Sequence, residues 1–120
     1  MKMPMWAQDL VIEVAIDEGR DDLPDVTWRH SKVNAWSSGT TYNAAPRRIV
    51  VTAGKVRKDQ KIVLLHELAH WLLPVSEHHG TTFWDKVWEL FRRYEVPIMY
   101  AKTREGNYRK GAIAAYRRSR

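Results

Sequence analysis

The stretch HELAHWLLPVSEHHG, residues 66–80, decides how this chain is read. It opens with His66, Glu67, two apolar residues and His70, and beyond Pro74 two more histidines stand together at 78 and 79. On an α-helix four residues advance about 400°, so His66 and His70 lie one turn apart, about 6 Å along the axis and about 40° around it. Their imidazoles can meet at one metal ion. Glu67, one step further round, is placed to take a proton from a metal-activated water. In a chain with five histidines, chance alone produces the pattern about once in a hundred.

The residues around the motif sharpen this reading. From Lys58 to Leu73 the apolar side chains Ile62, Val63, Leu64, Leu65, Leu68, Ala69, Trp71, Leu72 and Leu73 surround nearly the whole helix. Such a helix is buried. Two histidines and a glutamate within it would cost several kcal/mol if left unpaired, whereas a metal uses all three. Pro74 ends the helix, and a second one is expected from Thr82 to Tyr94, with Thr82 and Asp85 at capping-box spacing. Trp84, Val87, Trp88 and Phe91 form its apolar face, and Trp71, Trp84 and Trp88 are expected in the core.

Upstream, Trp6, Leu10, Val11, Val14 and Ala15 fall at helical spacing between Trp6 and Glu18, and Gly19 ends that helix. Val26–His30, Val33–Trp36, Thr40–Tyr42 and, after Pro46, Arg48–Thr52 read as strands of a small, mainly antiparallel sheet. His30, alternating with Trp28, reads as structural. Lys110 to Arg118 is expected to form a last short helix.

A third metal ligand has several candidates. A metzincin pattern would need glycine and histidine where Leu73 and Ser76 stand, so it is excluded. Glu89 falls opposite the apolar face of its helix, among Asp85, Arg92 and Arg93, and Glu77 lies in the loop. His78 and His79 remain. His79 is four residues before Phe83 and is followed by Gly80, which permits close backbone approach to the motif helix. If both histidines bound metal, the site would be closed and structural.

The segment His79-Gly80-Thr81-Thr82-Phe83-Trp84 resembles the histidine-glycine-x-x-phenylalanine segment that follows the HExxH helix in SprT-like, minimal gluzincin-type zinc metallopeptidases. The likeness spans about residues 26–94 and includes the expected order of hairpin, strand, motif helix and second helix. It implies an α+β, zincin-like fold in which the sheet packs on the motif helix, flanked by other helices. It further implies Zn²⁺ held by His66, His70 and His79, with Glu67 as catalytic base. Compact HExxH domains are also found among ImmA/IrrE-like regulatory proteases.

Composition bounds these expectations. With 120 residues the chain is expected to form one domain, and without cysteines any metal must rest on His, Asp or Glu. The N-terminus does not read as a secretory signal, and no stretch reaches the roughly 18 apolar residues of a membrane span. A cytoplasmic protein is therefore expected. The net charge of +6 comes from residues 101–120, where seven basic residues face Glu105 alone; the first hundred residues balance. That segment reads as a solvated basic tail, with nucleic acid as its candidate partner through Tyr108 and Tyr116.

The expected activity is zinc-dependent peptide hydrolysis on a protein or peptide substrate, with Arg48–Thr52 as the candidate edge for pairing an extended chain. Tyr42, Tyr94 and Tyr100 are candidate donors to the tetrahedral intermediate. The alternative is a zinc-stabilised module that binds nucleic acid or protein without cleaving it.

Overall fold

The computed structural model describes residues 3–44, 47–106 and 110–120. They build an α+β domain in the order α1 (Met5–Asp17), β1 (Asp25–His30), β2 (Ser38–Tyr42), β3 (Arg48–Ala53), α2 (Arg57–Leu72), a 3-10 turn (Val75–Glu77), α3 (Thr81–Arg93), α4 (Ile98–Gly106) and α5 (Lys110–Ser119). α2 is the centre. Ile62, Val63, Leu64, Leu65, Leu68, Ala69 and Trp71 are all buried, so its all-round apolar surface is covered as its composition requires.

The sheet is mixed, in the order β1-β3-β2. β1 runs parallel to β3, with Trp28 opposite Val51, and β2 runs antiparallel to it, with Gly39 opposite the same Val51. This corrects the expectation of a mainly antiparallel sheet. The hairpin is formed by β2 and β3, and the strand before it, β1, crosses to the far edge. Ile49, Val51 and Ala53 alternate inward along β3, as a period of two demands.

Val33–Trp36 is not a strand. Both edges of β3 are taken by β1 and β2, and this segment adds no fourth strand at their outer edges. It wraps instead over the end of β3, where the Ala35 carbonyl accepts the Val56 N–H and the Ser37 hydroxyl accepts the Gly54 N–H. Val33 is 85% exposed, which shows that apolar character alone did not earn it a place in the core.

α1 buries Ala7, Leu10, Val11, Val14 and Ala15 and ends at Gly19, whose φ of +69° a side chain would resist. α3 buries Phe83, Trp84, Val87, Trp88, Leu90 and Phe91. The expected Thr82–Asp85 capping box does not form. The helix starts at Thr81 after Gly80, leaving Thr82 inside the first turn, and Asp85 pairs with Arg118 at 2.7 Å.

The described residues of the segment read as a solvated tail, the terminal Arg120 apart, fall in the end of α4 and in α5. α5 buries Ala112 and Ala115, and the Trp88 indole donates to the Ala112 carbonyl at 2.9 Å. Lys110, Arg117, Arg118 and Arg120 face outward. Tyr108, Arg109 and Pro46 lie outside the described residues, of which no helix is long and apolar enough to cross a membrane.

Candidate metal centre

Helical spacing sets His66 and His70 on one stripe of α2, with ring centroids 5.3 Å apart. The chain then reverses. His78, at φ +46° and ψ −125°, turns the backbone so that His79 enters from the start of α3. His79 Nε2 lies 3.2 Å from His70 Nε2, and one ring nitrogen from each of His66, His70 and His79 falls within 4.8 Å of the others.

This set fits a metal. Two ligand nitrogens at about 2.05 Å from a tetrahedral ion stand about 3.3 Å apart, close to the His70–His79 separation. Three imidazoles leave a fourth position for a substrate or water. Among the described residues this is the one group of three or more His, Cys, Asp or Glu placed to hold an ion. His70 is also prepared for binding: burial, then repulsion from His66, His79, Arg47 and His78, drives its pKa down to about 3. A neutral imidazole has its lone pair available at neutral pH.

Phe83 and Trp84 wall the cluster. The Phe83 ring stacks on His70 at 4.1 Å and meets His66 and His79 edge-on at 5.0 Å each, while Trp84 stacks on His79 at 5.8 Å. Phe83 is thus the core anchor that its four-residue spacing from His79 suggested. Gly80 has a different role from the expected one. A Cβ there would meet the Glu77 carbonyl at 3.1 Å, within its own turn, so the glycine serves the turn and not an approach to α2.

Glu67 projects about 100° away from His66, towards β2. It is only 6% exposed, and the Thr41 hydroxyl donates to its Oε1 at 2.8 Å. Two residues earlier on the same strand face, Gly39 lies so close that a Cβ would come within 2.8 Å of Glu67 Cγ. Burial raises the Glu67 pKa; a charge on His66 and the Thr41 bond pull it down, and Glu105 pushes it up. A carboxylate pushed above its ordinary range is a better proton acceptor.

Glu67 and the three histidines line an open cavity of about 320 Å³, bounded by β2 and Arg47. A second recess of about 290 Å³, lined by Ser38, Arg104 and Glu105, shares Gly39, His66 and Glu67 with it. A larger cavity of about 820 Å³ lies between α1 and the start of α2, beside Trp6, Glu13 and Arg57, and holds none of the motif. The motif's side chains line the smaller one instead.

Other candidates are elsewhere. His78 borders the cavity but is exposed and outside the three-nitrogen cluster. Glu77 is outside it too, and Glu89 is held by Lys86 and Arg93. His30 is exposed at the end of β1. Tyr94 donates to Asp17 and Tyr100 to Asp59, while Tyr42 lies under the Arg48 guanidinium, so none of the three lines the cavity. Arg48–Thr52 belongs to the central strand and offers no free edge; β2 is the edge beside the cavity.

Several neighbours were not foreseen. Thr41 and Gly39 meet Glu67 through strand alternation, but only the register of β2 on α2 makes that contact. Arg47 donates to the carbonyls of His70, Trp71 and Leu73, satisfying the last turn of α2. Glu105, on α4, stands 3.3 Å from His66 Nδ1. Its signal was present in composition, as the sole acid of a basic segment.

Comparison of the chain with protein-family models, curated proteins and solved structures found no match.

Proposed function

We propose that this chain is a zinc-dependent metallopeptidase of zincin-like fold, in which His66, His70 and His79 hold Zn²⁺ and Glu67 is the general base. One observation carries the reading: a buried glutamate, oriented by Thr41, stands beside three converging imidazoles. Three nitrogen ligands and an open position are the donor set of catalytic zinc. The likeness of His79–Trp84 to the SprT-like segment supports the same residues.

When bound, zinc polarises the scissile carbonyl and makes water a better nucleophile near neutral pH. Glu67 takes a proton from the attacking water as its oxygen joins the carbonyl carbon. When the C–N bond breaks, Glu67 returns that proton to the amine nitrogen. Thr41 holds the carboxylate in position for both transfers, and Phe83 and Trp84 exclude water from one side of the imidazoles. β2 supplies the edge along which an extended peptide can pair, because main-chain hydrogen bonds demand little of substrate sequence.

The test is hydrolysis of an unfolded protein substrate by zinc-loaded and by chelated protein, with metal content measured in parallel. Cleavage that depends on zinc supports the reading. A protein that binds zinc stoichiometrically yet cleaves no unfolded protein or peptide would leave the zinc-stabilised binding module as the better account.

A further inference from the structure

Beside His66, and outside the three-histidine cluster, stands the carboxylate of Glu105. Its Oε1 is 3.3 Å from His66 Nδ1, and the two side chains are only 15% and 12% exposed, with His66 the less buried. We propose that Glu105 is a positioning residue for the metal centre, accepting a hydrogen bond from His66 Nδ1–H so that Nε2 is presented to the ion. The inference rests on the metal-binding role of His66, His70 and His79.

An imidazole that ligates through one nitrogen must carry its proton on the other. A carboxylate at that second nitrogen selects the tautomer, fixes the ring plane and makes the ligating nitrogen more basic. Glu105 is held where it can do so. The preceding residue, Arg104, places its Nε 2.6 Å from Asp59 Oδ1, and its Nη2 donates to the Ser37 carbonyl. One turn earlier on α4, the Tyr100 hydroxyl donates to the same Asp59 oxygen at 3.1 Å. Asp59 itself is fully buried in the first turn of α2, and its other oxygen accepts the Ser37 N–H at 2.6 Å.

α4 is therefore pinned to the N-terminal end of the same helix that bears the motif. Asp59 and His66 lie on α2, and Arg104 and Glu105 are adjacent on α4, so the two contacts set the spacing of the two helices together. The Arg104–Asp59 contact is ionic rather than a well-aimed hydrogen bond, since the Nε–H finds no acceptor in line. It supplies attraction and burial, while Tyr100 and Ser37 supply direction.

The experiment compares wild type, Glu105→Gln and Glu105→Ala, each first shown to fold by its melting temperature in chelator. Zinc alone is titrated against a chromogenic chelator, and long-range ¹H–¹⁵N spectra of the zinc-loaded proteins report the histidine tautomers. Expected is a loss of zinc affinity of about 10- to 100-fold for Glu105→Ala. Glu105→Gln, which keeps an acceptor oxygen, should fall between. The His66 Nδ1–H signal should move or exchange faster in both variants, with the His70 and His79 patterns retained. Wild-type affinity and an unmoved His66 signal in Glu105→Gln would overturn the inference, even if Glu105→Ala failed to fold. If wild type itself takes up no zinc, the metal centre falls and the inference with it.

Discussion

Thr41 and Gly39 reach Glu67 from β2, 26 and 28 residues before it in sequence. Glu67→Gln keeps the shape and the imidazoles but removes the proton acceptor; zinc content should be unchanged and peptide hydrolysis reduced at least about 100-fold. Thr41→Val removes a bond that lowers the Glu67 pKa. The acidic limb of the kcat/KM profile should then shift to higher pH, with a loss at the optimum of about 5- to 10-fold. His78 and His79 separate in a similar way. His79→Ala should lower zinc affinity by orders of magnitude, whereas His78→Gly should leave it within a few-fold. Glycine adopts φ +46° without the strain a histidine bears, so His78→Gly should also raise metal-free stability by up to about 1 kcal/mol in a denaturant titration. A collapse of zinc binding in His78→Gly would instead make His78 a ligand.

At the scale of elements, α4 and α5 decide whether the C-terminal segment is dispensable. Truncation after Thr103 would remove Arg104, Glu105 and all of α5, uncovering Trp88 and leaving Asp59 buried without its cation. Breaking a buried pair by removing one partner costs about 3–5 kcal/mol, and the lost packing adds to it. The truncated chain should therefore melt far below wild type, or fail to fold, by far-UV circular dichroism. Unchanged melting would return the segment to the status of a solvated end. The outward face of α5 keeps Lys110, Arg117 and Arg120 for solvent or a polyanion, while Arg118 is engaged by Asp85. If nucleic acid binds there, reversing those three charges should flatten the salt dependence of affinity without disturbing the fold.

For the whole molecule, metal binding and folding are linked. Zinc at about 100 times its dissociation constant contributes about 2.7 kcal/mol to a protein that binds it only when folded, a rise in Tm of about 10 °C for a domain of this size. Acid works against the same state. The folded protein holds His70 near a pKa of about 3 where the ordinary value is 6.5, so the unfolded chain takes up the proton first. Stability from this source is complete above pH 6.5 and is lost as pH falls from there towards 3. Glu67, with its raised pKa, acts oppositely, favouring the folded state at lower pH. The chelated protein should melt progressively lower below pH 6.5 if the His70 effect dominates, and His70→Phe should flatten that decline; an equal slope in the variant would place the titrating group elsewhere.

The local code of this chain was legible because it rests on short-range geometry. A 3.6-residue period sets His66 beside His70, an all-round apolar surface requires α2 to be buried, and a period of two turns Ile49 and Val51 inward. His79 was readable for the same reason, four residues ahead of a phenylalanine that the core must take. The order of the strands was not, since Val33–Trp36 carries strand-like residues yet stays outside the sheet, over the end of β3, where Ala35 and, just beyond the segment, Ser37 accept hydrogen bonds from Val56 and Gly54. Nor were the partners of the motif. Thr41 on Glu67, Glu105 beside His66 and Arg104 on Asp59 join residues from separate elements, with charges that in sequence look like an ordinary solvated surface. Sequence determined which side chains can meet at one site, through spacing along one helix and from His79 to Phe83. Tertiary structure decided which groups hold them in place, because those contacts exist only once β2 and α4 have packed beside that helix's motif.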